Sequence, residues 1–211
     1  MDNASNQCIE IFKRNKSTII VSDNSVEIQR GGKSVNSDSL INGYVYLVID
    51  CSGSMAGEKI EQAKRGAIDF SKSAQNKGYS SGLITFADHA KYHIEPQRDY
   101  KALIPIINNI SIDGSTNMTA GIRLAIDKLR GTQGFRVMVI VTDGIPNNAR
   151  ETLSIAQEAK NQGIDIIAIG TDDADQKFLK ELASRKDLGI KVTKEHFETG
   201  ISSAALMLPG K

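Results

Sequence analysis

The run Asp50-Cys51-Ser52-Gly53-Ser54 offers one carboxylate and two hydroxyls, and it follows directly on the apolar stretch Tyr44 to Ile49. Two further segments add oxygen donors: Gly114-Ser115-Thr116-Asn117 carries the hydroxyl of Thr116, and Thr142-Asp143-Gly144 carries the carboxylate of Asp143 after the apolar run Phe135 to Val141. A donor set made only of oxygens suits hard divalent cations such as Mg²⁺, Mn²⁺ or Ca²⁺ rather than zinc. Asp50, Ser52, Ser54, Thr116 and Asp143 are therefore the candidate metal set.

For these side chains to meet, the elements around them must bring three loops to one place. Val45, Leu47, Val48 and Ile49 read as a strand buried on both faces, so Asp50 stands at its end, Gly53 permits the turn, and the chain becomes helical from Met55. Ile60, Ala63, Ala67, Ile68 and Phe70 form an apolar stripe of near-helical period that ends around Gly78. Ser81 to Phe86 and Ala90 to Glu95 read as strands close enough for a hairpin, which makes one of them an antiparallel edge. A short helix over Tyr100 to Ile110, interrupted by Pro105, precedes the Thr116 loop and a helix over Met118 to Arg130. Strands at Phe135 to Val141, Ile164 to Ile169 and Ile190 to Thr193 then alternate with helices at Asn148 to Asn161, Ala174 to Ser184 and Glu198 to Met207. This alternation predicts an α/β fold, a doubly wound, Rossmann-like, mainly parallel sheet with helices on both faces. In such a sheet ligands gather at the carboxyl ends of the strands, where all three loops open.

The motif D-x-S-x-S, followed by a Thr in a G-S-T loop and then by T-D-G, resembles the metal-ion-dependent adhesion site of von Willebrand factor type A domains. Each of the five positions is present, and the order of elements matches from about Ile41 to about Met207. The resemblance implies that Asp50, Ser52, Ser54, Thr116 and Asp143 hold Mg²⁺, with Mn²⁺ or Ca²⁺ as substitutes. It also implies that the ion presents a free position to an Asp or Glu of a partner protein, and that this chain is a small, stand-alone, prokaryotic member. Its function would be metal-dependent protein–protein interaction rather than catalysis.

The chain's 211 residues suffice for one substantial domain with an extra element at one end. Residues 1–40 differ in character: Ser17 to Val21 and Ser25 to Gln29 read as a β-hairpin lying on the edge of the main sheet or on a partner, followed by a Gly/Ser-rich linker, so the division expected is 1–40 and 41–211. A net charge of +1 with interspersed signs argues against nucleic acid or anionic membrane as a partner. No run approaches a membrane span and the first residues lack the features of a secretory signal, which points to the cytoplasm, or to an extracellular place if a signal has been removed. Cys8 and Cys51 form no metal or disulfide pattern, and Cys51 reads as a packing residue.

Competing readings differ in their demands. A Mg²⁺-dependent phosphohydrolase of the D-x-D type needs a second Asp where Ser52 stands, and no Lys or His adjoins these loops in sequence, Arg150 being the nearest cation after Asp143. A purely structural oxygen cluster would pin the loops and bind nothing outside. His89 and His93 have helical metal-ligand spacing, but on a strand they stand about 13 Å apart. Asp172, Asp173 and Asp175 read as acids at the positive end of a helix. Met55, Met118, Ile145, Pro146 and Asn147 are candidates for a rim that meets a partner, with helix packing as the other reading for the two methionines, while Asp88 and His89 have no assigned role.

Overall fold

The computed structural model describes residues 10–14, 17–22, 25–30, 33–36, 43–171 and 173–209. The chain divides into two units, Met1–Asn42 and Gly43–Lys211. In the first, β1 (Glu10–Arg14), β2 (Ser17–Ser22), β3 (Ser25–Arg30) and β4 (Lys33–Asn36) form a four-stranded antiparallel sheet in the order β1-β2-β3-β4. The hairpin expected from the sequence is β2–β3, with Val21 opposite Val26. It belongs to a larger sheet, and Lys33–Asn36, read as linker, is its fourth strand. The remaining linker residues, 31, 32 and 37–39, lie outside the described residues.

The second unit is built on a six-stranded sheet in the order β10-β9-β8-β5-β6-β7. Its strands are β5 (Gly43–Asp50), β6 (Tyr79–Phe86), β7 (Ala90–Gln97), β8 (Phe135–Thr142), β9 (Asp165–Gly170) and β10 (Gly189–Lys191). All pairs are parallel except β6–β7, which places the antiparallel strand at one edge. Parallel strands covered on both faces need apolar side chains in both directions, which is why Val45, Leu47, Val48 and Ile49 of β5, Val137 to Val141 of β8 and Ile166 to Ile169 of β9 are fully buried.

The helices are α1 (Glu58–Asn76), α2 (Ile104–Asn108), α3 (Met118–Leu129), α4 (Ala149–Asn161), α5 (Gln176–Leu182) and α6 (Phe197–Ser203). From β5 the chain first steps to β6 and later returns to β8, β9 and β10 on the other side, so right-handed crossovers put α1 on the face opposite α3, α4 and α5. The packing agrees, with α1 against α6, α3 against α4, and α4 against α5. The reversal of direction at β5 puts the carboxyl ends of β5 and β8 at the switch point where open α/β sheets have their ligand-binding crevice.

Several boundaries differ from the sequence reading. Gly53–Met55 forms a 3-10 turn, and α1 starts only after Gly57, whose φ of 80° ends that turn in a conformation suited to glycine. Pro105 lies in the first turn of α2, where its missing N–H costs no helical hydrogen bond, so it begins a helix instead of interrupting one. Among the described residues no helix is long and apolar enough to cross a membrane.

Candidate functional site

Strand β5 ends at Asp50, whose carboxylate is fully buried. Its Oδ1 accepts the Ser52 main-chain N–H at 2.9 Å and its Oδ2 accepts the Thr142 hydroxyl at 2.7 Å. Burial pushes this carboxyl above its ordinary value, the two hydrogen-bonding neighbours pull it back, and the charge of Asp143 adds to the rise.

Beyond Asp50 the 3-10 turn stacks the two serines on one side, with Ser52 Oγ and Ser54 Oγ 3.1 Å apart. Ser54 Oγ donates to Asp143 Oδ1 at 2.8 Å, joining loops 89 positions apart in sequence. Asp143 is fully buried at the end of β8, whereas Ser54 is exposed, so this line of oxygens runs from the interior to the surface.

Thr116 sits in a loop joined to the other two through main-chain hydrogen bonds. The Gly53 N–H donates to Gly114 O at 3.1 Å, Asp113 N–H to Cys51 O at 2.8 Å, and Asn147 N–H to Thr116 O at 3.1 Å, so the Thr116 loop is tied by main chain to both other loops. Its hydroxyl makes no hydrogen bond to the other four side chains among the described residues. The loop is also held from the side by Asp88, whose Oδ1 accepts both the Ser115 N–H at 2.8 Å and the Ser115 hydroxyl at 2.6 Å. Those bonds hold the Asp88 carboxyl below its usual range. Gly114 has φ +35°, and a Cβ there would run into the Asp88 carboxylate, so this close approach needs glycine.

The sequence reading missed one residue altogether. Lys59, in the first turn of α1, donates to Asp143 Oδ2 at 2.6 Å and to Asp173 Oδ2 at 2.8 Å. Burial alone would lower its pKa, but the two carboxylates outweigh that cost and hold the ammonium above its ordinary value. A lysine at a helix start looks like a solvated surface residue, and nothing local reveals partners 84 and 114 positions away. Asp173 is therefore an ion-pair partner and not a helix cap. The cap of α5 is Asp175, which accepts the N–H groups of Lys177 and Phe178, while Asp172 lies outside the described residues.

The proposed rim is also revised. Met55 and Met118 are fully buried packing residues, and Pro146 is buried, whereas Ile145 is 53% exposed and Asn147 is exposed with its amide donating to Ser115 Oγ. Cys51 points inward and is buried, which pushes its thiol up to about 12. His93 lies on β7 with its Nε2 2.8 Å from Thr85 Oγ1, and His89 lies in the turn before that strand.

Two of the oxygen spacings, hydrogen-bond lengths as the chain stands, are also compatible with neighbouring ligands of a small octahedral cation. Adjacent ligands of Mg²⁺, each about 2.0–2.1 Å from the metal, stand about 2.9 Å from one another. The Ser52–Ser54 and Ser54–Asp143 oxygen separations of 3.1 and 2.8 Å bracket that edge. Among the described residues no group of three or more His, Cys, Asp and Glu side chains is arranged for a metal.

Residues 45–204 match the von Willebrand factor type A domain, and the chain belongs to that family. Collagen alpha-5(VI) chain of Mus musculus is 24% identical over 160 residues, covering 70% of this chain and 6% of that one. The structure of the vWF domain of the type V pili tip protein Mfa5 from Porphyromonas gingivalis superposes with a TM-score of 0.72 at 14% identity, covering 79% of this chain and 95% of that one. Proximal thread matrix protein 1 from the mussel byssus, with a zinc-occupied MIDAS motif, superposes with a TM-score of 0.66 at 19% identity, covering 78% and 46% of the two chains. The chain spans 6% to 12% of the curated relatives it matches. The fold shared with these structures is the six-stranded, mostly parallel sheet with helices around it.

Proposed function

We propose that the Gly43–Lys211 unit is a metal-dependent protein–protein interaction module in which Asp50, Ser52, Ser54, Thr116 and Asp143 hold a divalent cation, Mg²⁺ in the first instance. The observation that carries this reading is the line of close oxygens from Ser52 through Ser54 to Asp143 at the carboxyl ends of β5 and β8. Such an ion supplies an electrophilic position that an Asp or Glu of a partner completes. Asp50 spends its oxygens on Ser52 and Thr142, and Asp143 shares its charge with Lys59, so little uncompensated negative charge faces the ion. At an effective dielectric near 20, unit charges about 4 Å apart attract by about 4 kcal/mol, and a divalent ion attracts a carboxylate about twice as strongly. Dehydration of both ions offsets much of that gain, so neighbouring surface, Ile145 above all, adds to binding.

The site is not that of an enzyme in this reading. Ser52 stands where a phosphohydrolase of the D-x-D type needs an acid, and Lys59, beside the carboxylates, is already engaged by two of them. The 1–40 segment is read as a separate amino-terminal extension to the 41–211 domain. The placement read from the sequence is the cytoplasm. Adhesion at a cell surface is the second reading, favoured by the likeness to a pilus tip protein.

The deciding experiment is an affinity capture of partners on the immobilised chain with Mg²⁺, then with chelator, repeated with Thr116→Ala and with Mn²⁺, Ca²⁺ and Zn²⁺ in place of Mg²⁺. A partner released by chelator, and not retained by the variant, supports the module. Partners held equally in chelator, or no calorimetric heat with any of the cations, would leave the oxygen cluster a structural tie between loops.

A further inference from the structure

We infer that Lys59 sets the affinity and the size preference of this site for divalent cations, by reserving one oxygen of Asp143. The inference rests on the metal-site reading above and extends it to a residue outside the five-residue motif.

The two oxygens of Asp143 have different occupations. Oδ1 faces the hydroxyl of Ser54 at 2.8 Å, within the line of donors, while Oδ2 is taken by the Lys59 ammonium at 2.6 Å. A cation that used both oxygens of Asp143 would therefore have to share Oδ2 with the ammonium or displace it. Mg²⁺ is satisfied by single oxygens in a compact octahedron, whereas Ca²⁺ takes six to eight oxygens at longer distance and draws on bidentate carboxylates. A site with this carboxylate held monodentate is thus biased toward the smaller ion.

Lys59 is also a like charge beside the ion. Its side chain is only 14% exposed, and it also donates to the 69% exposed carboxylate of Asp173, whose negative charge partly cancels that of the ammonium. Its position in the first turn of α1 fixes its root on a rigid element. The ammonium neutralises part of the acid charge when no metal is present, which lets Asp50 and Asp143 lie buried near each other, and it lowers the attraction that a cation then feels. Asp173 acts in the opposite sense, because it screens the ammonium from the site.

The test is calorimetric titration of the whole chain with MgCl₂, MnCl₂ and CaCl₂ separately, for the unmodified protein and for Lys59→Met, Lys59→Arg and Asp173→Asn, with thermal melting in EDTA as the check on folding. With the like charge gone and Oδ2 free, Lys59→Met should bind Ca²⁺ about tenfold or more tighter and Mg²⁺ by a smaller factor, so the Mg²⁺-over-Ca²⁺ preference shrinks. Lys59→Arg, which keeps charge and donors, should stay near the unmodified protein, and Asp173→Asn should weaken all three ions by about two- to threefold. Cation binding by the unmodified protein that Lys59→Met leaves equal, or weakens while still melting normally, overturns the inference and spares the metal-site reading. Absence of binding by both proteins overturns both. Should Lys59→Met fail to fold, Asp173→Asn decides, and an unchanged or tighter affinity in that variant overturns the inference.

Discussion

Thr142 Oγ1 donates a hydrogen bond of 2.7 Å to Asp50 Oδ2, linking the ends of the neighbouring parallel strands β8 and β5 one step beyond the pair Val141–Ile49. Both residues are fully buried. The bond fixes the Asp50 carboxylate at the strand end and offsets part of its burial, so in the proposed site the Thr of the T-D-G motif would act through another residue.

Replacing Thr142 by Val keeps the shape and removes that donor. An unsatisfied buried acceptor costs about 1–3 kcal/mol, and loss of a partner that orients a metal ligand typically costs about 10–100-fold in metal affinity. Thr142→Val should therefore melt at lower temperature and bind Mn²⁺ more weakly by that factor in a calorimetric titration. An unchanged affinity would place Asp50 outside the metal set.

Gly114→Ala tests the support of the Thr116 loop. The left-handed conformation alone costs a non-glycine residue about 1–2 kcal/mol, and the new Cβ would strike the Asp88 carboxylate. To relieve that clash Asp88 must give up its bonds to Ser115, so the variant should lose stability and cation affinity together. Chemical denaturation and titration of the same sample measure both.

In α1, Gly66→Ala sets helix propensity against packing. Alanine favours a helix interior by about 0.8–1.0 kcal/mol, but a Cβ at Gly66 would lie 2.7 Å from Glu198 O and 2.9 Å from Ile201 Cβ of α6. Overpacking costs about 1–3 kcal/mol, and a main-chain oxygen cannot swing aside as a flexible side chain does. Net destabilisation is expected in urea, with little change at the cation site. A stabilised variant would mean that α6 shifts freely on α1.

His93 gives the fold a pH dependence independent of the metal. Burial, reinforced by Lys91, lowers its pKa below the ordinary 6.5. The unfolded chain then takes up the proton more readily than the folded one, so this contribution is complete above about pH 6.5 and declines as pH falls from there toward the folded pKa. Melting temperature in EDTA should drop over that interval, and His93→Gln should flatten the drop.

The strands of the main sheet were legible because double burial writes itself as continuous apolar runs, as in Val137 to Val141 and Ile166 to Ile169. Helix starts were less so, since Met55 is apolar whether it sits in a 3-10 turn or in α1, and Gly57 marks the boundary only through its backbone angle. In the amino-terminal unit, the Gly31-Gly32 pair reads as the start of a linker, which hid the pairing of Arg30 with Lys33 and with it strand β4.

By itself the sequence determined the candidate oxygen donors and their order, and the placement of Asp50 and Asp143 at strand ends, because these follow from local apolar runs and the residues that end them. Only the tertiary structure decided that Ser54 meets Asp143, that Lys59 holds the other oxygen of that carboxylate, that Met55 and Met118 face inward, and that Ile145 stands out beside the crevice. Those outcomes depend on β8 lying next to β5 and on α1 beginning where it does. The bonds of Ser54 and Lys59 join residues 84 and more positions apart, and no periodicity along the chain encodes them.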